Sequence, residues 1–377
     1  MSVLPVGIGA VMFLAIVSDI LVTLLHPSAW GPLSHRVNRL TWLGVRRVSI
    51  LLRSRWLLTY AGPSAFGMNF LFWVLGLWVA FALVYLPFID EFSYDPATPF
   101  GTTGLLEALY VSGTAISTVG FGDVVPSSDG LRLAIILESA SGFGAFTAAV
   151  TYALSVYPLV TGIRSAAVRL ADLGVLEPGA AARVAVEGGP TEMAALHTSL
   201  IENDENTKRF PILYYFESGD PTESNTTLLR SGVMMCIVLR WGVSHTGVPH
   251  ARFYGPALET TLRRLMDDYE ASFFGGRSRR RRHEHPLLEA DDLAGRLEVL
   301  RAAVGRAGVE VAEESDELPE GFASFVSRAE AFLDRIAREH RNRREPLLGR
   351  SALSRAEGAD RPTGDEGELD VVHGGRG

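Results

Sequence analysis

One ten-residue stretch constrains this chain more than any other: Thr114-Ala115-Ile116-Ser117-Thr118-Val119-Gly120-Phe121-Gly122-Asp123. It closes an apolar segment, residues 104–117, which at about 14 residues is shorter than the roughly 20 a helix needs to cross a bilayer core. The neighbours on either side, residues 68–88 and 133–160, are long and apolar enough to cross. The short segment is therefore expected to enter between two crossings and return on the side it came from. Non-helical backbone is tolerated at that depth only where protein or water surrounds it. Gly120 and Gly122 stand one residue apart, so backbone shapes closed to a residue with a Cβ are open at both. A Gly-rich turn spelling the same letters fits the local pattern but not its placement between two spans.

Residues 118–122 read T-V-G-F-G. The decapeptide and its flanking spans resemble the pore-domain potassium channels, in the bacterial form with two spans and a pore loop. The resemblance covers residues 68–160. It is specific in the loop, moderate in the spans and absent elsewhere. It implies an all-α membrane protein: a potassium-channel pore domain with a re-entrant pore helix and filter, joined here to an additional N-terminal span and a helical cytoplasmic domain.

The chemistry behind the resemblance is direct. A dehydrated potassium ion needs a cage of oxygens, which backbone carbonyls from four chains supply as stacked rings. The ion-binding filter is then Thr118, Val119, Gly120, Phe121 and Gly122, with potassium held at Thr118, Val119, Gly120 and Phe121, and Thr118 adding a hydroxyl at the inner end. Val119 and Phe121 are expected to point away from the axis and wedge against the pore helix. One such loop per chain implies a homotetramer. Asp123, Thr114 and Tyr110 are the expected filter supports. Family members pair a pore-helix Glu with the filter Asp, and the aligned residue here is Thr114, which puts inactivation of that type in doubt. Tyr110 is expected to replace part of the missing bonding.

Composition fits a chain that is half membrane and half soluble. Mean hydropathy is +0.17, with 47% hydrophobic residues, which is too apolar for an ordinary soluble chain and too polar for one wholly in lipid. A lone cysteine, Cys236, excludes an intrachain disulfide and sits in an apolar run that points to burial.

Residues 3–25 form a first apolar stretch of spanning length, placed in an N-terminal unit 1–27. No Lys or Arg precedes it and no small-residue cleavage pattern follows, unlike a cleaved signal peptide. Asp19 lies inside it, either near the interface or with a functional role. Segment 28–67 carries Arg36, Arg39, Arg46, Arg47, Arg53 and Arg55 and no acid. The positive-inside rule makes it cytoplasmic and the N-terminus external. Within it, residues 40–60 read as an amphipathic helix on the inner leaflet, held by anionic lipid. The arginine spacings of one, six and two do not fit a voltage sensor.

The pore domain is assigned to residues 68–162. Asp90, Glu91 and Asp95 form an acidic outer turret, solvated and able to concentrate cations. Thr103 is the expected cap of the pore helix, whose partly negative C-terminus favours a cation at the pore centre. In the last span, Gly142, Gly144 and Thr147 are gate or cavity candidates, either as bending points or as close-packing positions. Glu138 is the unusual residue there. Facing a cavity it would concentrate cations. Its height, about 9 Å below the helix start, favours bonding to the pore helix.

Residues 163–344 read as a helical cytoplasmic domain, with helices at 193–202, 228–243, 257–274, 286–305 and 321–344 and breaks near 178, 188 and 218. No strand leads into a G-x-G-x-x-G turn, which argues against a nucleotide-sensing gating domain. The basic run 277–282 reads as an exposed linker or an anionic-ligand segment, and His283 with His285 is too weak a pair to assign to a metal. Residues 345–377 read as a disordered tail.

The sequence offers no catalytic constellation, no cofactor motif (K+ would be the cargo) and no nucleic-acid signature. The expectation is a potassium-selective, multi-pass channel of the cell membrane. A weakly selective cation channel and a membrane-anchored scaffold with a vestigial pore are the alternatives. What opens the pore is not legible.

Overall fold

The computed structural model describes residues 3–26, 31–94, 104–274, 288–313, 318–342 and 346–348. Among the described residues three helical stretches are long and apolar enough to cross a membrane: Leu4–Leu25, Trp56–Glu91 and Asp129–Asp172. The first is α1 (Leu4–Leu25), the second contains α3 (Ala61–Tyr85), and the third is α5 (Asp129–Asp172). Between α3 and α5 lies the short helix α4 (Leu105–Ile116). The protein is thus an all-α membrane protein with a short apolar helix between two spans.

α1 runs antiparallel to α3. Phe13 meets Phe81 edge-on at 5.3 Å, and Asp19 meets Trp73 further along. Asp19 is buried and sits at the start of α2 (Pro32–Leu51), where its carboxylate accepts from the Leu33 N–H at 2.8 Å and the Ser34 N–H at 3.2 Å. The Ser34 hydroxyl and the Trp73 indole N–H also donate to it. No local side chain caps α2, so the acid of α1 satisfies its first free amides. Asp19 is therefore a structural cap joining three helices.

Residues 40–60 differ from the expected single surface helix. α2 ends at Leu51, Arg53 turns the chain at φ 51°, and Trp56–Tyr60 is a separate 3-10 turn. Trp42 is buried beneath α2 against Tyr215 at 5.7 Å and His340 at 4.9 Å. One face of the amphipathic helix therefore packs on protein, and only the other is left for lipid.

α5 continues through Pro158 to Asp172, 12 residues past the expected end of the span at 160. Its 44 residues reach about 66 Å, roughly twice the hydrocarbon thickness. Below the apolar part it is tied to the remaining helices: α6 (Pro178–Glu187), α7 (Gly189–Arg209), α8 (Asn225–Ile237), α9 (Ala251–Phe273), α10 (Ala290–Arg306) and α11 (Phe322–Glu339). Pro178 and Pro190 begin helices rather than interrupting them, because a first-turn residue needs no N–H partner. Central α8 is buried from Ser231 to Ile237, Cys236 included. It passes into a π turn, Val238–Gly242. Tyr152 of α5 packs on Phe210 at 5.6 Å, so the lower inner span and the helical domain share one core.

The expected disordered tail fails at its start. Leu347 and Leu348 are buried, and Arg230 donates to the Pro346 carbonyl at 2.9 Å. Asp95, Thr103, the basic run 277–282, His283, His285 and the tail from 349 onward lie outside the described residues.

Candidate functional site

The short helix α4 is held from two sides. On the α3 side, the Trp78 indole donates to the Leu109 carbonyl at 2.7 Å, and the Ser112 hydroxyl reaches the Trp78 carbonyl at 2.8 Å. On the α5 side, Ser139 donates to the Ala115 carbonyl at 2.9 Å. Gly142 permits closest approach: a Cβ there would lie 2.4 Å from the Ile116 carbonyl oxygen. At 142 α5 stays helical and the missing side chain makes room for α4. A Cβ at Gly144 would meet nothing within 4 Å, and Thr147 donates to the Phe143 carbonyl within its own helix at 2.9 Å.

Beyond Ile116 the chain turns under the C-terminus of α4. Thr118 N–H donates to Ala115 at 3.0 Å, and Thr114 O accepts from Val119 N–H at 3.1 Å and Gly120 N–H at 3.3 Å. Thr114 thus supports the loop through its carbonyl, while its hydroxyl bonds back to Val111 at 2.9 Å. Along the loop φ is +57° at Thr118, +52° at Gly120 and +80° at Gly122. Positive φ recurs at every second residue, the alternation that lets successive carbonyls turn to a common side. The glycine pattern announced two of these positions. Thr118, a β-branched residue in the left-handed region, carried no sequence signal.

Asp123 accepts from the Tyr110 hydroxyl at 2.6 Å. The chain then pairs β2 (Val124–Pro126) antiparallel with β1 (Phe92–Tyr94), with Ser93 opposite Val125. Strands of three residues are too short for a pattern to announce. Val119 and Phe121 lie on the α4 side of the loop. They border an open cleft of about 540 Å³ beside Trp78 and Tyr110, and Phe121 remains 71% exposed. The single chain supplies only one wall there.

Glu138 is fully buried. Tyr85 donates to its Oε2 at 2.7 Å, and Ser112 contacts its Oε1. This carboxyl joins α3, α4 and α5 behind the loop, which is the bonding to the short helix that its height favoured over a cavity position. Its height on α5 was legible, whereas Tyr85 and Ser112 carried no signal as partners. Among the described residues no group of three or more His, Cys, Asp or Glu could hold a metal ion.

Residues 71–157 match a family model described as an ion channel. The match runs from α3 through α4 and the loop into α5, and over these residues the chain fits a pore-domain channel family. Over 157 residues the chain is 30% identical to the uncharacterized membrane protein YdjJ of Bacillus subtilis (strain 168), covering 40% of this chain and 43% of that protein. It thus spans less than half the length of this curated relative. No solved structure matches the chain.

Proposed function

We propose that this protein is a potassium-selective channel in which four copies place residues 118–122 around a common axis. The carrying observation is the alternation of positive φ at Thr118, Gly120 and Gly122 under the C-terminus of α4. That backbone turns carbonyls to one side, and a ring of four such loops gives a dehydrated potassium ion its oxygens. The exposed flank of Val119 and Phe121 fits the same reading, since a neighbouring copy would supply the second wall. Potassium moves passively, Asp123 and Tyr110 brace the loop from behind, and α5 lines the path below. The N-terminus faces outward and the helical domain lies in the cytoplasm, with anionic lipid against the Arg-rich α2 segment.

The test is flux into liposomes holding the purified protein. Uptake that favours potassium over sodium and stops with barium supports the reading. Equal uptake of the two ions in the same assay would show a weakly selective pore and overturn it. No uptake, even from a chain cut after Arg169, would leave a scaffold with a vestigial pore.

A further inference from the structure

An apolar groove of about 730 Å³ runs between α2 and α3. Leu40, Gly44 and Val48 form its α2 wall, and Met68, Leu71 and Leu75 its α3 wall. The α3 wall belongs to a segment apolar enough to cross a membrane, so one end of the groove opens on the hydrocarbon. The other end is different in kind. Tyr60 lines it, exposed Trp56 meets Tyr60 edge-on at 4.9 Å, and Arg47 precedes Val48 on α2. Trp and Tyr with one apolar side and one polar tip favour the headgroup level of a bilayer.

Arg47 is exposed and has no hydrogen bond or ion pair to the described residues. There is no Asp or Glu from residue 26 to residue 67 to neutralise it. An open, uncharged groove with a cation on the α2 turn beside its Tyr60 end is complementary to one kind of molecule, an apolar chain ending in a phosphate. We propose that the groove between α2 and α3 binds an anionic glycerophospholipid of the inner leaflet, one acyl chain lying along Gly44 and the phosphate held by Arg47. The site rests on the membrane placement proposed above and gives the anionic lipid a defined seat. Because Trp42 of α2 packs on Tyr215 and His340, lipid bound here touches the element between the spans and the helical domain.

The experiment is native mass spectrometry of the full chain in detergent, titrated with phosphatidylglycerol or with phosphatidylcholine of the same chains. Gly44→Trp fills the groove, and nothing lies within 4 Å of a Cβ at that position, so the larger residue enters open space. Arg47→Gln removes the cation at an exposed site, which keeps the test alive where Gly44→Trp does not fold. Expected are retained phosphatidylglycerol on the parent protein, about fivefold weaker retention after Arg47→Gln, and one lipid fewer per chain after Gly44→Trp. Equal retention of the two lipids, or variants that bind like the parent, overturns the site. So does displacement of the lipid by millimolar inorganic phosphate, which would indicate a simple anion site. A groove covered by a second copy of the chain gives no retained lipid at all, with the same consequence. Lipids are counted here without any ion flux, so failure leaves the conduction assay standing, and failure of conduction leaves this count standing.

Discussion

Tyr110 and Asp123 close the loop between α4 and β2 through one hydrogen bond of 2.6 Å from phenol to carboxylate. A hydrogen bond with an ionised acceptor contributes about 1.5–3 kcal/mol. Tyr110→Phe removes the donor and little else. In the liposome assay it should lower the preference for potassium over sodium several-fold while the protein still folds. Asp123→Asn should do the same, and the double variant should be no worse than either single one, because both act on one contact. Additive losses would show that the two residues act separately.

The inner helix gives a paired test at two glycines one turn fraction apart. A Cβ at 142 would collide with the Ile116 carbonyl, whereas one at 144 meets nothing. Gly142→Ala should destabilise the protein by about 1–3 kcal/mol, the usual cost of overpacking, and reduce flux by moving α4. Gly144→Ala should be neutral or raise the melting temperature, since Ala is the better helix former by about 1 kcal/mol. Melting in detergent reads both. Equal effects would detach the Gly142 contact from function.

Asp19 provides the third case. Asp19→Ala strips the cap from α2 and leaves the buried Trp73 N–H unpaired. The cap contributes about 1 kcal/mol and the orphaned donor costs about 1–3 more. Melting of Asp19→Ala should therefore fall well below that of Ser34→Ala, which removes one hydroxyl and leaves the backbone bonds in place. Equal melting of the two would remove the cap from the account of this fold.

The spans and the loop were legible because membrane crossing imposes a length and carbonyl alignment favours glycine at alternate positions. Glu138 was legible in height, since helical rise fixes where a residue sits relative to the loop. Asp19 was not, because its partners lie 14, 15 and 54 residues on, beyond the reach of any local rule. Trp42 was misjudged for another reason: an amphipathic face looks the same whether lipid or protein covers it. Val119 and Phe121 have only one wall in a single chain, and periodicity within one chain carries no information about a second.

Below the membrane, Arg164 of α5 pairs with Glu223, which also accepts from Ser218. The Ser218 hydroxyl, and then Arg164, hold the Glu223 carboxyl below the usual carboxylate range. A depressed folded value means the contribution is fully present above the ordinary carboxylate range and fades as pH falls through the lower one. Both side chains are partly exposed, so the effect is a few tenths of a kcal/mol. Melts of Glu223→Gln between about pH 3 and 6 should lose part of the parent's acid dependence. Unchanged acid dependence would place it elsewhere.

Glu138 yields the last prediction through a count of hydrogens. The Ser112 hydroxyl has one hydrogen but two acceptors in reach, the Trp78 carbonyl at 2.8 Å and the Glu138 carboxyl. Tyr85 supplies its only hydrogen to the other carboxyl oxygen. A carboxyl that keeps its proton donates to Ser112, frees Ser112 for Trp78, and accepts from Tyr85, so no group in this buried cluster is left wanting. An amide does the same. Glu138→Gln should therefore fold, melt close to the parent and conduct. Glu138→Ala should lose about 2–4 kcal/mol, from the cavity and from two buried hydroxyls left with fewer partners. Tyr85→Phe should cost less, because it removes one donor and leaves the Ser112 side intact. If Glu138→Gln instead melts like Glu138→Ala, the cluster needs a charge there, and the bond from Ser112 to Trp78 must be given up to supply it.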